Sequence, residues 1–65
     1  MTKRLFTADS TFGTFTRTSS RVYTFCVCRA DGWHQFSQTR QAAERELRYQ
    51  QNRGRVVELV SVEAK

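Results

Sequence analysis

Sixty-five residues support one domain with a small core and little volume for a deep catalytic cleft. The absence of proline and the presence of only three glycines argue against a long linker or disordered tail. The net charge is +5 and nine of the eleven basic residues are arginine, the side chain suited to planar, bidentate contact with phosphate or carboxylate. The composition therefore points to an anionic partner: nucleic acid, an acidic protein surface or anionic lipid.

The segment Thr2–Ala8 has weak strand character and reads either as a short edge strand or as a flexible basic arm. Its apolar run is only Leu5-Phe6, too short for the hydrophobic region of a signal peptide, and no window approaches a membrane span. A cytoplasmic protein is expected. Asp9-Ser10 is a turn signal. Phe12–Thr18 alternates, with threonine at 14, 16 and 18, and predicts a strand. Ser19-Ser20 breaks it. Arg21–Arg29 is the strongest strand, rich in β-branched and aromatic residues, and Asp31-Gly32 is a two-residue hairpin signal before a short strand Trp33–Phe36.

Ser37 is a suitable N-cap for a helix running from about Gln38 to Asn52. Ala43 and Leu47, with Ala42 and Tyr49 beside them, form its apolar stripe. Gly54 sits where a helix-terminating glycine belongs. Arg55–Glu63 is a last, valine-rich strand whose apolar residues fall on both parities. That pattern fits a central strand or one that buries a second face against a partner, including a second copy. The expectation is a single α+β domain over residues 1–65, a small antiparallel sheet packed on one helix in the order β-β-β-α-β.

If Ser19-Ser20 and Asp31-Gly32 are both two-residue turns, one face collects Phe12, Thr14, Thr16, Tyr23, Phe25, Val27 and Phe36, the expected core under the helix. The other collects Phe15, Arg17, Val22, Thr24, Cys26, Cys28, Trp33 and Gln35. On this face Phe15, Arg17 and Trp33 can stack on bases, with Arg21 and Arg29 near the strand ends as backbone contacts. Gln41, Arg45, Arg48 and Asn52 recur at helical spacing with Arg40 alongside, which gives a second, positive stripe. Cys26 and Cys28 lie too close for an unstrained disulfide, and with His34 they offer too few ligands for structural zinc, so small buried thiols are expected. No phosphate loop and no nucleophile–base–orienter set is present, so neither catalysis nor a cofactor is expected.

Three strands followed by a helix, with Trp33 in the third strand and Phe36 ahead of Ala42-Ala43, resembles two families. These are the plant ethylene-response-factor type of DNA-binding domain and the amino-terminal arm-binding domains of tyrosine integrases. The resemblance covers roughly Phe12–Asn52, and Arg55–Glu63 departs from it. It implies that Arg17, Arg21, Arg29 and Trp33 lie in a DNA major groove. The leading expectation is a small basic nucleic-acid-binding module, DNA ahead of RNA, with Arg40, Arg45 and Arg48 as a secondary stripe. The alternative is a protein-binding inhibitor or accessory factor of the kind phages and mobile elements encode, anti-CRISPR-like. Its arginines would grip an acidic surface and its last strand would extend a partner's sheet.

Overall fold

The computed structural model describes residues 2–64; Met1 and Lys65 lie outside the described residues. Its elements are β1 (Arg4–Ser10), β2 (Gly13–Ser19), β3 (Phe25–Arg29), β4 (His34–Ser37), α1 (Arg40–Asn52) and β5 (Val57–Ala64). The α+β class expected from the sequence is what forms. The strands make one five-stranded sheet in the order β2-β1-β5-β3-β4, and every neighbouring pair is antiparallel.

This order corrects two expectations and decides between the alternatives for the last strand. The segment read as an edge strand or flexible arm is β1, an interior strand paired on both sides by β2 and β5. β2 pairs with β1 through a turn at Thr11-Phe12, not with β3 through Ser19-Ser20. β5 is the central strand, bonded to β1 over its last residues and to β3 over its first. Each of its edges is paired over part of its length, so it is not an edge strand of the kind that extends the sheet of a partner or a second copy. The two parities of its apolar residues are explained instead by burial on both faces.

The sheet curls around its inner face. Phe6, Ala8, Tyr23, Cys26, Cys28 and Phe36 form the buried cluster there, with Phe12, Phe15, Val60 and Val62 packed against it. Curling brings the two edge strands together, so that the Phe15 ring of β2 stacks on His34 of β4 at 4.4 Å. Tyr23 sets its ring edge against Phe6, 5.6 Å between centroids. Burying a side chain such as Phe6 contributes about 1.5–3 kcal/mol, a large share for a chain this short.

The helix lies on the opposite face of β3, β4 and β5. Val27 and Ala43 are both fully buried at this second contact. Val27 and half-buried Phe25 face the helix as expected, but the expected company of β3 is exchanged: Phe36 shares the main core with Cys26 and Cys28 instead of lying beside Val27 under the helix. The cause is the β3–β4 turn. Arg29 and Trp33 close it with a backbone bond of 2.8 Å, so the connection has three residues, Ala30-Asp31-Gly32, with Gly32 at φ +98°. Cys28 then stands opposite His34 and Cys26 opposite Phe36, one residue away from the two-residue-turn register.

The helix also starts later than expected. Thr39 is the N-cap, its hydroxyl accepting from the Ala42 amide at 3.2 Å, whereas Ser37 ends β4 with its hydroxyl buried and unpartnered. At the other end Gly54, at φ +76°, closes a Schellman motif. The Arg55 amide donates to the Gln50 carbonyl at 3.1 Å and the Gly54 amide to that of Gln51 at 2.9 Å.

Candidate nucleic-acid interface

The helix has 13 residues and its burial defines what its outside can present. Ala43 and Gln50 are buried and Leu47 is half-buried, which fixes the side facing the sheet. At 100° per residue the set Gln41, Arg45, Arg48 and Asn52 falls on the opposite side. The four residues singled out by helical spacing share the outward side of α1. With Glu44 and Tyr49 they line one shallow depression of about 420 Å³ along the outer surface of the helix.

Electrostatics divides these cations into engaged and free. Arg40 donates to Glu44 at 2.9 Å, an exposed i, i+4 pair. Among the described residues Arg45 and Arg48 make no ion pair or hydrogen bond. Tyr49 is exposed, contrary to its expected place in the apolar stripe, and Arg53 sits over its ring at 5.5 Å. The stretch from Arg29 to Arg55 holds six arginines against Asp31, Glu44 and Glu46, a net +3 of the chain's +5.

The four residues expected to share one sheet face are separated. Arg17, on β2, holds its guanidinium 5.0 Å from the centre of the Tyr23 ring. Arg21 is exposed in the β2–β3 connection, its amide bonded to the Ser19 hydroxyl. Arg29 and Trp33 are at the far end of β3, on the helix side, where the Arg29 guanidinium lies 5.0 Å from the Trp33 ring centre. A single plane containing Arg17, Arg21, Arg29 and Trp33 does not form, because β2 is not the neighbour of β3 and the β3 register differs by one residue.

Arg29 instead belongs to a polar joint between sheet and helix. It makes a two-pronged contact with Asp31, with Nε donating to Oδ1 at 3.0 Å and Nη2 to Oδ2. This contact, with the Trp33 amide donating to the same carboxylate, holds the Asp31 pKa down to about 2. Buried Gln50 accepts from Arg29 at 3.2 Å and from Arg55 at 2.8 Å, and donates to Glu46 at 2.8 Å. Glutamine on a helix reads as a solvent residue, so sequence patterning passed over Gln50. The available signal was Gly54: a helix-terminating glycine brings the residues four before and one after it together, here Gln50 and Arg55.

Cys26 and Cys28 are free thiols within the core, 3.6 Å apart at sulfur. Burial is the main cause that pushes the Cys26 thiol up to about 12, so it is a packing group at neutral pH. Among the described residues no group of three His, Cys, Asp or Glu side chains is placed to hold a metal, and no helix is long and apolar enough to cross a membrane. Comparison with known protein families, with curated proteins and with solved structures finds no match.

Proposed function

We propose that this protein binds duplex nucleic acid, DNA ahead of RNA, through the outward stripe of α1. The observation that carries this reading is the convergence of Gln41, Arg45, Arg48 and Asn52 on one exposed surface, with both arginines unpaired. Arginine reads guanine edges bidentately, and asparagine and glutamine read adenine, so these are the side chains direct readout uses. A helix of this length spans about 20 Å and fits a B-form major groove about 12 Å wide. The A-form groove of RNA is too narrow for it, which is why DNA ranks first. Arg40 at the start of the helix and Arg53 past its end are placed to contact phosphates on either side.

The reading moves the main contacts from the sheet face to the helix. Arg29 and Trp33 support the end of that surface through Gln50, while Arg17 and Arg21 lie away from it. The protein-binding inhibitor reading drew on a last strand able to extend another sheet. With β5 in the centre, that reading rests on charge alone.

The test is fluorescence anisotropy against labelled duplex DNA, single-stranded DNA and RNA across a salt series. Binding to the duplex is expected to persist near physiological salt with a multi-phosphate slope. Arg45→Ala and Arg48→Ala are each expected to weaken it by about 1–3 kcal/mol, with stability unchanged within about 0.5 kcal/mol. Arg21→Ala is expected to bind like the parent protein. Absence of binding above low salt, or an Arg45→Ala/Arg48→Ala double variant that binds normally, rejects the proposal.

A further inference from the structure

The sheet has two free edges of unequal character. β4 offers four residues, two of them buried. β2 offers seven, all but Phe15 and Ser19 exposed, and pairs only with β1. Long edges of this kind are normally blunted by proline, lysine, a bulge or an inward charge. β2 has no proline, no lysine and an unbroken register with β1 from Ser19 to Gly13. Its one charge, Arg17, lies over the Tyr23 ring on the core-facing side that it shares with Phe15.

Ladder geometry fixes which groups are free. Ser10 and Gly13 close the two-residue turn, so the bonded pairs of the β1–β2 ladder alternate from there. Gly13, Phe15, Arg17 and Ser19 bond inward to β1. Thr14, Thr16 and Thr18 therefore turn their amides and carbonyls outward.

We propose that this edge is a self-association surface: β2 of one copy pairs antiparallel with β2 of a second copy, with the two-fold axis at Thr16. The sequence of the strand is complementary to itself in that register and poorly so in its neighbours. With the axis at Thr16 all seven residues pair, and the outward threonines exchange about six backbone hydrogen bonds. Thr14 meets Thr18 of the other copy and Thr16 meets its own counterpart, favourable cross-strand pairs on the exposed face. On the opposite face Arg17 meets Phe15 of the other copy, a cation beside an aromatic ring. An axis at Arg17 opposes two guanidinium groups, and an axis at Phe15 runs the pairing into the Thr11-Phe12 turn. This surface is separate from the α1 stripe and does not depend on what that stripe binds.

One strand added to another is a small interface, so association is expected in the micromolar range rather than tighter. The experiment is sedimentation velocity of the full chain from about 10 to about 500 µM, in nucleic-acid-free buffer. A reversible monomer–dimer equilibrium is expected. Thr16→Lys places two ammonium groups face to face across the axis and is expected to weaken the dimer at least about tenfold, while circular dichroism of the monomer stays unchanged. Thr16→Pro removes an outward amide that the β1–β2 ladder does not use and is expected to have the same effect. Should the proline variant fail to fold, the lysine variant decides. A protein that stays monomeric throughout the range overturns the proposal. So does a dimer that both folded variants leave intact, because its interface then lies elsewhere.

Discussion

β3 is covered on both faces and β2 on one, and their compositions follow. Between core and helix, β3 reads Phe25-Cys26-Val27-Cys28, with the three central residues fully buried. β2, with solvent on its outer face, alternates threonine with Phe15 and Arg17. The β1–β2 hairpin thus depends on a single layer of packing, while the β3–β4–α1 half is built from two. Depth of cover, more than intrinsic strand preference, sets where this fold is vulnerable.

The largest expected effects test that contrast directly. A charge at either of two successive β3 positions should be intolerable, since both faces are dry: Cys26→Asp and Val27→Asp are each expected to cost more than about 4 kcal/mol, enough to unfold so small a domain. In β2 the same pair of neighbours should split. Phe15→Asp is expected to destabilise strongly, while Thr16→Lys stays within about 0.5 kcal/mol. Thermal melts followed by circular dichroism read all four. A charge tolerated at either position 26 or position 27 would break the two-layer account of β3.

The same contrast explains what the sequence made legible. The helix, its arginine stripe and the central character of β5 were all readable, because each is a periodic pattern imposed by a face that is or is not covered. Strand partnership was not. Asp9-Ser10 and Ser19-Ser20 are equally good turn signals, and only the docking of Ala8 against Val62, far away in the chain, decides that the first segment pairs with the second and inserts β5 beside it. Register failed for a related reason. Gly32 serves a two-residue turn or a three-residue turn equally well, since both need its positive φ, and the choice exchanges every side chain of β4 between faces relative to β3. The candidate surfaces followed suit: the helix stripe rests on local spacing and its residues share one side of α1, whereas the grouping of Arg17 with Trp33 rested on a pairing that does not form.

A middle-sized effect is expected at the joint between the layers. Gln50→Ala removes the acceptor shared by Arg29 and Arg55 and leaves a gap beneath the helix, at an expected cost of about 1–3 kcal/mol in urea unfolding. The single-layer half has a polar contact of similar length, Thr14 to Asp9 at 2.8 Å, but it is exposed. Asp9→Ala is therefore expected to cost less than about 0.5 kcal/mol. If the two truncations cost the same, burial is not what gives the Gln50 contacts their weight.

The smallest effect separates the halves by pH. Asp31 is held at about 2 in the folded protein, below its ordinary 3.8, first by the Arg29 hydrogen bond and then by the Trp33 amide. A depressed folded pKa means that the ionised carboxylate favours the native state. That contribution is complete above the ordinary value and drains away as pH falls through about 2. Because the carboxylate is exposed, the effect should be local: on acidification, amide exchange is expected to rise first at Trp33 and in the Ala30–Gly32 turn, while β1 and β2 stay protected. Asp31→Asn should remove the acid-induced change and leave those turn amides more exchangeable at neutral pH. Hydrogen exchange followed by NMR from pH 5 to pH 2 checks both points. An acid response that begins in the β1–β2 hairpin instead would place the weakest electrostatic link in the single-layer half, and the Arg29–Asp31 contact would then not be what holds the turn against the helix.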